Sequence, residues 1–124
     1  MIHLDTNYLI GIAAKDSLLV TSARCWMEGG EMLATSAVAW SEFLTGPVTR
    51  EEIALMGSIL QERIIPFGVA EAAKAAELFN ASGRKRGTRI DCFIAAAAFC
   101  AGASLATENR ADFKPFVALG LRLM

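Results

Sequence analysis

Four carboxylates in this chain occupy positions where an acid can do more than solvate a surface. Asp5 follows directly on an apolar run at residues 1–4, and Asp112 lies five residues beyond Thr107. Asp91 stands at the start of an alanine-rich segment, and Glu42 falls within Trp40-Ser41-Glu42-Phe43-Leu44, between large apolar neighbours. Three or four carboxylates share a small pocket only where a cation neutralises them. Hard ions such as Mg²⁺ and Mn²⁺ take oxygen ligands, keep several waters and bridge to phosphate. Such an ion lowers the pKa of water and stabilises charge at a phosphoryl centre. Each aspartate also has a purely structural use. Asp5 suits the cap of a helix starting near Thr6, where its oxygen would accept from free backbone N–H groups. Asp91 with Thr88, and Asp112 with Asn109, have the spacing of a capping box. Glu42 has no such use, because a carboxylate in mid-helix is poorly placed for capping.

Strand-like and helix-like patterns alternate to carry these residues. Residues 1–4 read as a short buried strand, and residues 16–28 have helical spacing that stops at Gly29-Gly30. Residues 32–35 read as a second strand, residues 37–44 as a helix closed by Gly46-Pro47, and Thr49-Arg50-Glu51-Glu52 as a capping box opening a helix towards Leu60. A third strand is expected at 63–67, then an amphipathic helix at 69–81 and an apolar helix at 90–101 ended by Gly102. Residues 104–107 make a fourth strand and 121–124 a candidate fifth. Strands separated by helices predict an α/β fold, with a mostly parallel central sheet of four to five short strands and helices on both faces. In such sheets the functional crevice lies outside the carboxyl ends of the strands. Asp5 and Asp112 belong there.

Composition narrows the classes. At 124 residues and 13.3 kDa the chain reads as one domain, 1–124. With 54% apolar and 20% charged residues it is no disordered chain. Twelve basic against thirteen acidic residues exclude nucleic-acid binding by bulk charge alone. The one dense basic cluster is Arg84, Lys85, Arg86 and Arg89, which either forms a solvated loop or touches RNA phosphates beside Asp91. Arg110 and Lys114 flank Asp112 and offer part of the same service. His3 is the only histidine and lies inside the first strand, which disfavours a Ser-His-Asp hydrolase and an imidazole-based ribonuclease. No phosphate-binding glycine motif is present. Trp26 and Trp40 follow apolar helical spacing and are expected in the core or an interface. Cys25, Cys92 and Cys100 have no C-x-x-C spacing, so buried free thiols in a reducing compartment are expected. No signal peptide is visible, and the longest uncharged run, 92–107, is interrupted by Gly102 and falls short of the ~20 residues of a membrane helix. A soluble, cytoplasmic protein is expected.

Taken in order, Leu4-Asp5-Thr6-Asn7, Ser41-Glu42-Phe43, Asp91-Cys92-Phe93-Ile94-Ala95-Ala96 and Thr107-Glu108-Asn109-Arg110-Ala111-Asp112-Phe113 form a pattern that resembles the PIN-domain family. Within it, the pattern resembles the VapC-type toxins of bacterial and archaeal toxin–antitoxin pairs. The resemblance implies a Mg²⁺- or Mn²⁺-dependent endoribonuclease whose acidic residues are Asp5, Glu42, Asp91 and Asp112. Asp5, Asp91 and Asp112 would hold metal directly or through water, while Glu42 completes the shell or helps deprotonate the attacking water. Thr107 and Asn109 match the family's polar supporting positions, and Thr6 and Asn7 stand beside the first aspartate. In-line hydrolysis would leave a 5′-phosphate and a 3′-hydroxyl. The implied partners are an RNA substrate (tRNA, rRNA or mRNA) and a cognate antitoxin, and the apolar excess points to a homodimer. Two rivals remain. A metal-dependent phosphatase would use Asp5 as nucleophile, but it would want an aspartate where Asn7 stands. A catalytically inert PIN-like binding module would have to keep four carboxylates unneutralised at a cost.

Overall fold

Four short strands organise the chain, and a computed structural model describes all 124 residues. They are β1 (Ile2–Leu4), β2 (Leu33–Ser36), β3 (Ile64–Ile65) and β4 (Ser104–Ala106). All pairings are parallel and the spatial order is β3-β2-β1-β4. The register sets His3 between Ala34 on one side and Leu105 on the other, and Leu4 beside Ala106. Parallel neighbours need long crossovers, and helices supply them. Helices α1 (Thr6–Ala13) and α2 (Ser17–Glu28) join β1 to β2, and α3 (Ala37–Thr45) and α4 (Arg50–Leu60) join β2 to β3. Helices α5 (Val69–Ala81) and α6 (Arg89–Cys100) lead to β4, and α7 (Arg110–Val117) follows it. The expected α/β architecture is the observed one.

From β1 the chain moves outward through β2 to β3, then returns past β1 to form β4 on its far side. That reversal makes the carboxyl ends of β1 and β4 the topological switch point of the sheet, where open α/β folds bind ligands. Strands β1 and β2 are fully buried and β3 is half-buried, with Ile2, Leu4, Leu33 and Leu105 at 1% exposure or less, as expected for a parallel sheet covered by helices. Helix α6 presents a buried run, Ala95 to Ala98, whose small side chains bring its backbone close to its neighbours. Gly11 does the same for α1, since a Cβ there would stand 2.2 Å from Leu19 Cδ1 of α2. Phe113 and Phe116 anchor α7 in the core.

Three details differ from expectation. β3 is only two residues long rather than spanning 63–67, and the fifth strand is reduced to a single parallel bridge between Leu105 and Leu123. Only Cys92 is buried. Cys25 and Cys100, on α2 and α6, are exposed free thiols. Trp26 packs against Tyr8 and Trp40 against Phe43, with ring centroids 5.6 and 5.2 Å apart. No helix is long and apolar enough to cross a membrane.

Candidate active site

Asp5 leaves β1 at the switch point and is 4% exposed. Its Oδ1 accepts from the Thr6 backbone N–H at 2.7 Å. Its Oδ2 accepts from the Thr107 hydroxyl at 2.7 Å and the Asn7 side-chain amide at 3.0 Å. A capping oxygen ordinarily serves the second or third helical N–H; Asp5 serves the first, and its other oxygen is occupied across the sheet. Thr107 Oγ1 in turn accepts from the Asn109 N–H at 3.0 Å, and Asn7 Oδ1 accepts from the Glu108 N–H at 3.0 Å. Asn7 and Thr107 thus tie the end of β1 to the end of β4, with Asp5 between them.

The other carboxylates arrive from three separate helices. Glu42 projects from the exposed side of α3, while Phe43 beside it is buried. Its Oε2 accepts from the Thr6 hydroxyl at 2.6 Å, which links α3 to the first turn of α1. Asp91 lies in the first turn of α6 and Asp112 in the first turn of α7. Neither makes the capping box its spacing allowed. The Thr88 hydroxyl donates instead to the Lys85 carbonyl at 2.8 Å, and Asn109 makes no side-chain cap. Both aspartates are therefore free of the structural use that competed with chemistry.

Their electrostatics show that they share one field. Burial pushes the Asp91 carboxyl up to about 6, and the charges of Asp112, Asp5 and Glu42 add to the rise. Burial also raises Asp5; the Thr107, Thr6 and Asn7 hydrogen bonds oppose the rise, and Glu42 adds to it. No three of these side chains converge closely enough to ligate one ion directly. An all-oxygen donor set with mutual repulsion fits a hard cation that keeps part of its water shell.

Arg84, Lys85 and Arg86 fall in the loop between α5 and α6, where Gly83, Arg84 and Gly87 have positive φ (89°, 55° and 84°), and Arg89 opens α6. Arg84, Lys85, Arg86 and Arg89 are all exposed. The chain has two salt bridges, Met1–Glu31 and Lys74–Glu77, and none of the four cations takes part. Lys85 lines a small cleft of about 60 Å³ with Asp112, Ser82 and Thr88, while Arg84 and Arg89 border a larger cleft between α5 and α6. Arg110 and Lys114 do not share the Asp112 cleft. They line another one with Val117 and Leu123, and the Arg110 guanidinium bonds the Met124 carbonyl.

His3 has the structural place expected of it. It is 1% exposed, neither ring nitrogen has a hydrogen-bond partner, and burial lowers its pKa to about 4, with the N-terminal ammonium adding to the effect. One participant was invisible in the residue types: the backbone N–H of Glu108, which holds Asn7 in place. No side-chain pattern announces a backbone donor.

A parallel sheet with four acids around its switch point is an arrangement that comparison with known proteins places in a family. Residues 2–115 match the family model of the PIN domain, and the chain belongs to that family. Among solved structures it is similar to a toxin–antitoxin complex from Klebsiella pneumoniae (23% identity, covering 91% of this chain and 90% of that one, TM-score 0.74). It is also similar to FitAcB from Neisseria gonorrhoeae (22% identity, 100% and 96%, TM-score 0.71). VapBC2 from Rickettsia felis, bound to a DNA fragment from its promoter, matches at 21% identity (100% and 98%, TM-score 0.71). At such identities the likeness establishes the fold. No curated protein matches the sequence.

Proposed function

We propose that this PIN domain is a Mg²⁺- or Mn²⁺-dependent endoribonuclease and the toxin of a toxin–antitoxin pair. The observation that carries the reading is the placing of four carboxylates from four elements around the carboxyl ends of β1 and β4, with Asp5 held by Thr107 and Glu42 by Thr6, and with the charges of Asp112, Asp5 and Glu42 adding to the rise that burial gives Asp91. Asp5, Asp91 and Asp112 would hold the metal, in part through water. When bound, the ion neutralises the acids, lowers the pKa of water and stabilises charge at the scissile phosphate.

The chain's own residues do the rest. Three donors fix the Asp5 carboxylate, leaving about one of its roughly four acceptor sites free, on Oδ1. Thr107 and Asn7 set that orientation, and Asn109 secures Thr107 through its backbone N–H. Glu42, held by Thr6, is placed to complete the site or to take a proton from the attacking water. Lys85, Arg84, Arg86 and Arg89 supply positive charge for RNA phosphates, which the net charge of −1 does not.

The phosphatase reading is weaker. Asp5 Oδ2 is occupied by two donors, and Asn7, where a second acid would stand, is bonded to Asp5, Thr107 and Glu108. An antitoxin partner is supported by the toxin–antitoxin complex among the similar structures, and a cytoplasmic setting is proposed along with it. A homodimer is proposed from the apolar excess of the chain, 54% of its residues. The test is cleavage of total cellular RNA by purified protein with and without EDTA, with the new ends sequenced. Metal-dependent cuts bearing 5′-phosphates are expected; no cleavage with either ion leaves the inert binding module as the better account. Expression of the wild-type chain alone is expected to arrest growth, and co-expression of its antitoxin to restore it.

A further inference from the structure

Between α5 and α6 lies a cleft of about 260 Å³, lined by Ala72, Ala76, Phe79 and Phe93, with Arg84 and Arg89 on its border. The catalytic reading leaves it without a role. Its walls are apolar and aromatic: Phe93 is braced edge-on by Phe67, ring centroids 5.2 Å apart. The Arg89 guanidinium lies 4.6 Å, and that of Arg84 5.4 Å, from the centroid of Phe79. Neither arginine has a carboxylate partner. The position of Arg84 is also held at a backbone cost, since its φ of 55° is a left-handed conformation that favours glycine. It makes the turn after Gly83, its N–H bonded to the Phe79 carbonyl, and its guanidinium meets Asn80.

We propose that this cleft is a subsite for one unpaired nucleobase of the RNA substrate, with the phosphate next to that base held by Arg84 and Arg89. The inference rests on the ribonuclease reading and adds where on the molecule a base of the bound strand would sit. Guanidinium planes held over an aromatic ring are stacking platforms for bases, and they carry charge for the phosphate at the same time. The volume lies just below the roughly 300–1,000 Å³ of pockets for drug-sized ligands, which suits a single base. A recess admits a base only when it is unpaired, so the cleft selects single strands, loops and bulges over duplex. Its place supports a continuous path. Arg89 and Asp91 share the first turn of α6, and Lys85 of the same loop borders the cleft of Asp112. A strand that lies across the acidic site would pass the Lys85 loop before a base enters the cleft, which opens on the α6 face of Arg89, Cys92 and Phe93.

Two variants test this without touching the acids. Ala76→Met fills the cleft from an exposed helical position, and Arg84→Gly removes the guanidinium while relieving the backbone. Binding is read by fluorescence anisotropy of labelled oligoadenylate, alone or annealed to oligouridylate, with Ca²⁺ present. Ala76→Met is expected to bind the single strand roughly 10-fold more weakly, the size of one base-stacking contact, and the duplex unchanged; Arg84→Gly, which also removes a phosphate contact, is expected to weaken both, with the larger loss for the single strand. Arg84→Gly is further expected to melt no lower than wild type, which a merely structural arginine would not allow. Equal loss for both RNAs, or no loss for the single strand, overturns the subsite and leaves the nuclease reading intact. A change in oligomeric state on Ala76→Met shows the cleft to be a self-contact and overturns it too. Wild-type protein that binds neither RNA removes both readings together.

Discussion

Strand β1 and the residue that follows it supply two buried polar side chains with opposite fates. His3 lies in the middle of the sheet, 1% exposed, with no partner for either ring nitrogen. Asp5, two residues on and 4% exposed, accepts hydrogen bonds from three donors drawn from α1 and the end of β4. Burial penalises the charge of both. His3 answers by staying neutral, its pKa lowered to about 4. Asp5 is raised by the same burial, and its hydrogen bonds oppose the rise. The contrast separates polarity that is merely enclosed from polarity that is held ready: only the second faces an opening, is oriented by a network and is surrounded by like charge.

The largest effect is expected at Asp5 itself. Asp5→Asn keeps the shape but removes a charge, and RNA cleavage is expected to fall at least ~10³-fold while circular dichroism and melting show an intact fold. Undiminished cleavage would erase the distinction between the two residues.

His3 gives the next effect, on stability alone. Its folded pKa is below its unfolded one, so the unfolded chain binds the extra proton first. Stability is whole above about 6.5 and is lost as pH falls towards 4, by up to about 3 kcal/mol for a shift of this size. His3→Leu is expected to flatten that part of the acid limb in urea melts at a series of pH values, with cleavage at neutral pH unaltered. An unchanged limb would show that the imidazole contributes nothing to it.

Thr107→Val probes the network rather than the charge. It removes the donor to Asp5 and the acceptor for the Asn109 N–H, and a supporting contact to a metal-binding carboxylate is worth roughly 10–100-fold in activity or metal affinity. The Mn²⁺ dependence of cleavage reads this out. A loss of folding stability with normal Mn²⁺ response would place Thr107 with His3 instead.

The smallest effect belongs to Asp91. Its carboxyl is raised to about 6, so it weakens the fold as pH climbs from the unfolded value near 3.8 through 6, and more no further above that. In EDTA at pH 7.5, Asp91→Asn is expected to stabilise the fold by roughly 1–2 kcal/mol, after allowance for the solvent that reaches a half-buried group. Wild type is expected to recover that difference when Mn²⁺ is added, and the variant much less. Equal melting with and without chelator would remove the repulsion on which the acidic field rests.

Much of this was legible in the chain for identifiable reasons. Asp5 ends an apolar run, and a strand's carboxyl end in a parallel sheet is a privileged place. Glu42 was conspicuous because a charge in mid-helix among large apolar residues needs a reason, and the exposed face of α3 supplies it. Thr88 and Asn109 misled for Asp91 and Asp112, because capping spacing says nothing about rival acceptors such as the Lys85 carbonyl. The division of the cations was beyond sequence altogether. Lys85 turns to Asp112, Arg84 and Arg89 to the α5–α6 cleft, and Arg110 to the C-terminal carbonyl, directions set by left-handed turns at Gly83 and Arg84 and by helix packing. The lone bridge at Leu123 and the brevity of β3 depend on tertiary pairing, which local pattern does not encode.

The contact that closes the site joins residues 102 positions apart, Thr107 to Asp5. Asp112, the last of the four acids, stands on a helix pinned by Phe113 and Phe116. A ribosome that has delivered every residue up to Ala106 has therefore made the whole sheet and none of the finished crevice. The four acids come together only when the segment carrying Thr107, Asp112 and the two phenylalanines docks on that sheet, so the crevice belongs to a packing step and not to the strands alone.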